Sequence, residues 1–329
     1  MGPHWMSVKD QVKEMLPGTV IALLKQEPAL SYKLHVLVQG LEPAQSAREP
    51  VRNSDLVRSL ISACLPAGEP VQHPYKKWVG GHWVLSLLAD LGYPPGDSQL
   101  MPLVNQAFDW ILSPEHARHI RVINGRTRRC ASQEGNLVFS TLSLGLADER
   151  TDQLISRLVK WQWNDGGWNC DKRPDVCISS FMESLIPLRA LSLAAKKTAD
   201  DHIRDCSLMA ADIFLKRSLF RRLGDGMVMD DHFIRLHYPC YWHYDILFGL
   251  KVMMEAGLLD DPRCQPALDL LESRRLEDGG FPADETYYHL NRPNVSNFSP
   301  VNWGGVSKRK MNPFVTADAL AVLQASGRI

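Results

Sequence analysis

Two carboxylates stand in stretches whose other residues are mostly small or apolar. Glu134 lies in the stretch CASQEGN, and Glu183 lies in SSFMESL. A buried carboxylate needs a hydrogen-bonding partner or a raised pKa, so each is a candidate proton donor or acceptor. Structural hydrogen bonds to Arg126, Arg128 or a serine would explain the same two residues without any chemistry.

Aromatic residues are concentrated where helices are predicted to begin, with two histidines among them. Aromatic faces stabilise carbocations and stack on prenyl chains or sugar rings. Packing of a core with large voids would account for them equally well. The candidate substrate-binding residues of this kind are Trp78, His82, Trp83, Tyr241, Trp242 and Tyr244, with His243 beside them.

Other acids and bases lie near the same predicted helix starts. Asp171, Asp175 and Asp245 join Glu183 as acids whose proton neighbouring groups could polarise, although no spacing selects one of them. The basic run Arg126–Arg129 (RTRR) would suit a diphosphate, and a solvated turn is the alternative interpretation.

Helical periodicity dominates the chain, and alternating strand patterns are nearly absent. We predict twelve helices in six pairs, each pair with an amphipathic first member and a more completely buried second member. The loops 220–238 and 282–312 are long enough to be functional. The first members are 7–24, 53–64, 101–112, 150–162, 201–218 and 262–275, and the second members are 29–41, 76–92, 129–146, 176–194, 240–257 and 313–325.

A helix-ending motif recurs along the chain and indicates a repeat protein. The spacing L-x3-Q-x3-G-x-W is formed by Leu158, Gln162, Gly166 and Trp168, and a degraded copy occurs at Leu271, Arg275, Gly279 and Phe281. Gln162 is suited to bonding helix ends and Trp168 to stacking on the next repeat. Six such pairs predict either a closed ring of inner and outer helices or an open superhelix, and the sharp Gly-Gly turn favours the ring.

This motif resembles the repeat of squalene–hopene cyclases and related triterpene cyclases. The stretch DGGF, ending at Phe281, is similar to the turn in protein prenyltransferase β subunits. Both groups share an (α/α)6 toroid of six inner and six outer helices, so the resemblance implies that all-α fold. We expect residues 1–329 to form one such domain.

The segment Asp175-Val-Cys177-Ile-Ser179 resembles the zinc-binding segment of the prenyltransferase β subunits. The resemblance implies that Asp175, Cys177 and His243 bind zinc, and that Lys172 contacts a diphosphate. A helix-capping Asp175 and an ordinary buried Cys177 are the alternative. The D-x-D-D acid of the triterpene cyclases is missing, which disfavours their standard mechanism.

Composition sets the remaining expectations. Lysine plus arginine and aspartate plus glutamate both number 37, so no basic excess indicates nucleic-acid binding. Seven scattered cysteines suggest free thiols in a reducing, cytoplasmic setting. No apolar run is long enough to span a membrane. Contact with a membrane surface or a helical partner subunit stays open.

Together these features predict an isoprenoid-handling enzyme related to terpene cyclases and prenyltransferases. An apolar ligand would occupy the central cavity, and Asp175, Glu183, His243 and Asp245 at its rim would perform acid or zinc chemistry. A carbohydrate lyase or hydrolase that uses Glu134 and Glu183 is one alternative. A toroid that binds a lipid or peptide without catalysis is the other.

Overall fold

The computed structural model describes residues 18–40, 45–65 and 72–329, and their fold is all-α. Short 3-10 turns at 98–100, 231–234 and 262–264 and a π-helical turn at 34–38 supplement the helices. The α-helices are α1 Gly18–Leu24, α2 Pro28–Lys33, α3 Gln45–Arg52, α4 Asp55–Cys64, α5 Gly81–Leu91, α6 Met101–Ile111, α7 Pro114–Ala117, α8 Ala131–Ser143, α9 Glu149–Trp161, α10 Phe181–Thr198, α11 Asp201–Leu215, α12 Ile246–Ala256, α13 Gln265–Glu272 and α14 Pro313–Ala325.

Six of these helices, which we call the central helices, are buried over most of their length: α2, α5, α8, α10, α12 and α14. Each packs against the next central helix along the chain, and α14 packs back against α2. The amphipathic helices α4, α6, α9, α11 and α13 bury one face only. The predicted alternation of partly exposed and buried helices is therefore present in the described residues.

Three central helices begin five or six residues later than the sequence pattern predicts. The predicted starts are 76, 176 and 240, whereas α5, α10 and α12 begin at Gly81, Phe181 and Ile246. At α12 the cause is the Asp245 carboxylate, which accepts a hydrogen bond from the Phe248 amide at 2.7 Å and so caps the helix there. The residues ahead of these helices form loops, which we call the rim loops.

Other helix predictions fared differently. The helix predicted at 313–325 is confirmed, and those at 101–112, 150–162 and 201–218 differ by up to three residues. Residues 7–17 of the helix predicted at 7–24 lie outside the described part of the chain. Most of the basic run is not a turn but a strand. Strand β1, Arg121–Ile123, pairs antiparallel with strand β2, Arg126–Arg128, to form a hairpin.

The two copies of the repeat motif make the same hydrogen bonds. Gln162 Nε2 donates to the Gly166 carbonyl at 2.7 Å, and Arg275 Nε donates to the Gly279 carbonyl at 3.2 Å. The Trp168 amide donates to Ser184 Oγ at 3.0 Å in the first copy. In the second copy the Phe281 amide donates to the Thr316 hydroxyl at 2.9 Å. Each turn is thus fastened to the first turns of the central helix that follows it.

A glycine sets the distance between α8 and α10. A Cβ added at Gly135 would lie 2.8 Å from the Pro187 backbone nitrogen, closer than real Cβ contacts. The two helices therefore approach each other more closely than any residue with a side chain would permit, and their first turns are held together.

No helix in the described ranges combines the length and apolarity needed to cross a bilayer.

Candidate functional site

Charged side chains from the central helices meet in the middle of the fold. We call Lys33, Asp90, Arg189, Lys251 and Asp318 the central charge network; they come from α2, α5, α10, α12 and α14. Lys251 Nζ lies 2.6 Å from Asp90 Oδ1 and 2.9 Å from Asp318 Oδ2. Lys33 Nζ lies 3.0 Å from Asp90 Oδ2 and 2.7 Å from Asp318 Oδ1. The network thus joins α2, the second helix of the described chain, to its last helix, α14.

The space beside this network is small and polar. The cavity that Asp90, Arg189, Lys251, Asp318 and Tyr238 help to line has a volume of about 30 Å³. That volume suits a few water molecules and not an isoprenoid chain. Burial alone would raise the pKa of Asp90, but Lys251, Lys33 and Arg189 together hold it well below its usual value. The central cavity that the described residues form is therefore too small for the predicted apolar substrate.

A second polar group, which we call the rim cluster, consists of Cys130, Cys170 and Glu183. Their sulfur and carboxylate ligand atoms all lie within 4.8 Å of one another, and all three side chains are half-buried. The Cys170 thiol donates to Glu183 Oε1 at 3.5 Å. Burial raises the pKa of Glu183. The cluster joins reactive side chains from three separate segments at the amino ends of α8 and α10.

Neighbouring backbone fixes the rim cluster in place. Glu183 lies in the first turn of α10, and its Oε2 accepts the Ser132 amide of α8 at 3.1 Å. Cys130 directly precedes α8. Cys170 follows Trp168, whose indole nitrogen donates to the Leu158 carbonyl at 3.0 Å. The repeat turn and the close α8–α10 contact thus bring the three side chains together.

The sequence offered a signal for only part of this cluster. Glu183 is recognisable as a carboxylate in an otherwise uncharged stretch. Cys130 and Cys170 are two of seven scattered cysteines. Their positions directly before a central helix and two residues after the motif tryptophan were the available clues.

Three buried polar side chains at the starts of α5 and α8 leave hydrogen-bonding capacity unused. Four buried side-chain atoms have no hydrogen-bond partner among the described residues: both ring nitrogens of His82, Gln133 Oε1 and Arg129 Nη2. Burial lowers the pKa of His82 to about 3, with Arg129 and His116 adding to the effect. The His82 ring is therefore neutral at pH 7 and suited to hydrogen bonding with water or a polar ligand.

The Glu134 carboxylate serves a structural pairing. It is fully buried, and its Oε1 lies 2.8 Å from Arg129 Nε. The partner is thus neither Arg126 nor Arg128, the two arginines suggested by the sequence. Arg128 instead donates to the Val176 carbonyl at 2.8 Å and lies over the Trp163 ring. With no exposed surface, Glu134 cannot contact a sugar substrate in this conformation.

The residues that the resemblance assigned to zinc do not meet. Asp175 and Cys177 are exposed in a rim loop, as is Lys172, because α10 begins only at Phe181. His243 is buried and stacks on Tyr287 with ring centroids 3.4 Å apart. The described residues place no group of three ligand atoms around Asp175, Cys177 and His243 within 4.8 Å. These residues therefore do not fit a shared metal ion.

Asp245 is likewise occupied within the fold. It has no exposed surface, and besides capping α12 its Oδ2 lies 3.0 Å from His237 Nδ1. Burial alone would lower the pKa of His237, but Asp245 raises it. Burial lowers the pKa of His243 to about 3, with His237 the next cause. Asp245 therefore links a loop to the start of α12. Both of its carboxylate oxygens are bonded within the fold, so neither is available to a substrate.

The predicted aromatic binding residues pack mainly on one another. Trp78 stacks on Tyr241 with ring centroids 3.7 Å apart, and Trp83 meets Trp78 edge-on at 4.9 Å. The buried Tyr244 hydroxyl donates to the Leu219 carbonyl at 2.6 Å. Trp242 is half-buried, with Lys77 Nζ 5.2 Å from its ring centroid. Core packing therefore accounts for four of these aromatics, and Trp242 is the one partly available to a ligand.

Comparison with known proteins adds no relative to this description. The chain matches no protein family model, and neither a curated protein nor a solved structure is significantly similar to it.

Proposed function

We propose that the chain is an enzyme built on an (α/α)6 toroid, with its reacting groups in the rim cluster. The toroid is supported by the packing of each central helix on the next and of α14 on α2. It is supported further by the two repeat turns, which fasten to the following central helices through equivalent hydrogen bonds. In this arrangement the central helices are the inner ring, and the rim loops surround one mouth.

The observation that carries the enzymatic proposal is the convergence of Cys130, Cys170 and Glu183. Two thiols and a carboxyl group from separate segments lie within 4.8 Å of one another, and each keeps some exposed surface. Packing does not require such a group, because buried polar side chains cost free energy unless they are fully paired. Convergent reactive groups beside a half-open surface are typical of catalytic centres.

We propose an isoprenoid-type substrate that binds at the rim instead of the centre. Two exposed apolar side chains lie on segments next to the cluster residues in the chain: Val122 is 70% exposed on β1, in the hairpin that precedes Cys130, and Ile178 is 58% exposed in the loop after Cys170. The Asn169 side chain donates to the Ile178 carbonyl at 2.9 Å, which keeps that loop beside the cluster. An apolar chain would cover these side chains.

The two alternative functions receive less support. A sugar-cleaving pair would need Glu134 and Glu183 to face a common substrate, but Glu134 is enclosed and bound to Arg129. A binding protein with a ligand in its ring would need a larger central cavity than the one of about 30 Å³. The rim cluster therefore supports catalysis at the mouth better than either alternative.

The test is turnover by the purified protein. Linear isoprenoids and prenyl diphosphates are incubated with the protein, and products are identified by gas chromatography and mass spectrometry. We expect Glu183→Gln and Cys170→Ser to lower the rate at least about 100-fold, as loss of a reacting group does. Glu149→Gln, an exposed first-turn glutamate of α9, serves as the matched control and should leave the rate unchanged. Equal rates in Glu183→Gln and the parent protein would refute the proposal.

A further inference from the structure

The rim cluster contains the side chains that a transition metal prefers. Thiolate sulfur and carboxylate oxygen both bind zinc, at about 2.3 Å and about 2.0–2.2 Å. Tetrahedral geometry at those bond lengths separates the two sulfurs by about 3.8 Å and each sulfur from the oxygen by about 3.5–3.7 Å. The cluster's ligand atoms lie within 4.8 Å of one another, so small rotations of the side chains suffice to close the site.

The orientation of Glu183 leaves one oxygen for a metal. The Ser132 amide holds Oε2 at 3.1 Å, while Oε1 faces the Cys170 thiol at 3.5 Å. Backbone donors that fix a carboxylate in this way are a regular feature of metal sites, because they orient the ligand before the ion arrives. The Arg129 amide donates to the Asn169 carbonyl at 3.2 Å and so joins the two cysteine-bearing segments.

The charges around the cluster suit an ion with two thiolates and a carboxylate. These three ligands carry three negative charges, so a divalent cation would leave one negative charge to balance. Arg129, the residue before Cys130, is 6% exposed; its Nε is paired with Glu134 at 2.8 Å, and its Nη2 has no partner among the described residues. The amino ends of α8 and α10 also favour negative charge at this position.

We propose that Cys130, Cys170 and Glu183 bind a zinc ion and leave one coordination position open. Two sulfur ligands favour zinc over magnesium or calcium, which prefer oxygen. Three protein ligands with a free fourth position are the arrangement of catalytic zinc sites, and the half-buried setting gives that position access to solvent. The inference rests on the proposed function in one respect, since it names the cofactor of the same site.

The experiment measures metal binding without reference to turnover. Zinc is quantified by mass spectrometry in the purified protein of 329 residues. Cobalt(II) is then substituted, because its absorption bands report thiolate ligands. We expect one zinc ion per chain, a cobalt–thiolate band, and loss of both in Cys130→Ser and Cys170→Ser. Glu183→Gln should keep the thiolate band but shift the cobalt d–d bands and weaken binding.

Cys177→Ser is the matched control, because Cys177 is exposed and belongs to the ligand set implied by the resemblance. Zinc retained in Cys177→Ser and lost in Cys170→Ser supports the inference. Zinc lost in Cys177→Ser but retained in Cys170→Ser overturns it. Absence of zinc from the parent protein, or a disulfide between Cys130 and Cys170 in the freshly purified protein, also overturns it.

The metal inference and the proposed function can fail separately. Stoichiometric zinc without turnover of any isoprenoid would leave the metal site standing and remove the proposed substrate. Turnover that depends on Glu183 in a protein that binds no zinc would support the proposed function and remove the metal site. The thermal unfolding temperature of each variant, measured alongside, shows that loss of metal is not loss of the fold.

Discussion

Replacing Lys251 by methionine tests how the middle of the fold is held together. The ammonium group makes two short ion pairs, to Asp90 at 2.6 Å and to Asp318 at 2.9 Å, and the side chain is 6% exposed. Methionine retains most of the aliphatic volume but removes the charge. Asp90 and Asp318 then share Lys33 and Arg189, and Arg189 is also paired with Glu255 at 2.5 Å. Three carboxylates are thus left with two cations, and one negative charge is uncompensated.

The expected cost is about 3–5 kcal/mol, the range for breaking one side of a buried ion pair. For 329 residues the unfolding entropy is about 0.7 kcal/mol/K at about 2.1 cal/mol/K per residue. Each kcal/mol therefore lowers the unfolding temperature by about 1.5 °C, and Lys251→Met should lower it by about 4–7 °C. Differential scanning calorimetry at pH 7 measures this shift.

Two further variants make the test specific. Lys216→Met removes an ion pair with Asp212 at a position that is 61% exposed, and it should change the unfolding temperature by less than about 1.5 °C. The double variant Lys251→Met/Asp318→Asn restores charge balance. It should therefore lose at least about 1 kcal/mol less than the sum of its single variants. A shift for Lys251→Met no larger than that of Lys216→Met, or strict additivity in the double variant, would refute the reasoning.

The remaining predictions concern acid sensitivity and the repeat turn. Because the pKa of Asp90 is depressed, its contribution to stability is present above its unfolded pKa of about 3.9 and lost only as pH falls through the lower folded value. Acid titration of Lys251→Met should therefore show unfolding at higher pH than in the parent. His82 is neutral when folded, with a pKa of about 3, so protonation of the unfolded chain lowers stability as pH falls below about 6.5. His82→Phe should remove up to about 2 kcal/mol of the stability difference between pH 7 and pH 5, and melting curves at both pH values that match the parent would contradict this. At the turn, a Cβ on Gly166 would lie 2.3 Å from the Met209 carbonyl oxygen at a φ of +103°. Gly166→Ala should therefore cost about 3 kcal/mol. Denaturant titration of both variants measures this, and Gly224→Ala, where nothing lies within 4 Å of an added Cβ, should be nearly neutral.

The helical class and much of the order of the helices could be predicted from hydrophobic periodicity and capping residues. The helix at 313–325 is an example, because local chemistry sets its start: the Asn312 side chain caps it and Pro313 occupies its first position. The motif predicted that Gln162 bonds helix ends; its Nε2 instead donates to the carbonyl of Gly166 in the turn and to that of Cys206 within α11, at 2.7 and 2.8 Å. Signals of this kind depend on residues close together in the chain.

The late starts of α5, α10 and α12 could not be predicted in the same way. Residues 176–180 and 240–245 have apolar spacing compatible with a helix, but tertiary bonds hold them in loops. Ser179 bonds to Asp165, and its Oγ donates to Oδ1 at 2.6 Å. Asp245 bonds both to His237 and to the first turn of α12. This difference moved Asp175 and Cys177 away from a helix opening.

Part of the central charge network is recognisable in the sequence. Asp90, Arg189, Lys251 and Asp318 are isolated charges within apolar helical stretches, and their signs balance in pairs. Such charges indicate that partners exist, but not which partner each one takes, because the partners lie 57 to 285 residues apart along the chain. The rim cluster could not be predicted from the sequence for the same reason, since its three residues come from three separate segments.

The most direct test of the account is an experimental location of the metal. Crystals of the zinc-loaded protein are measured on both sides of the zinc absorption edge. The account predicts one anomalous peak bound by Cys130 Sγ and Cys170 Sγ at about 2.3 Å and by a Glu183 oxygen at about 2.0–2.2 Å. A peak beside Asp175 and Cys177, or none near the amino ends of α8 and α10, would contradict it.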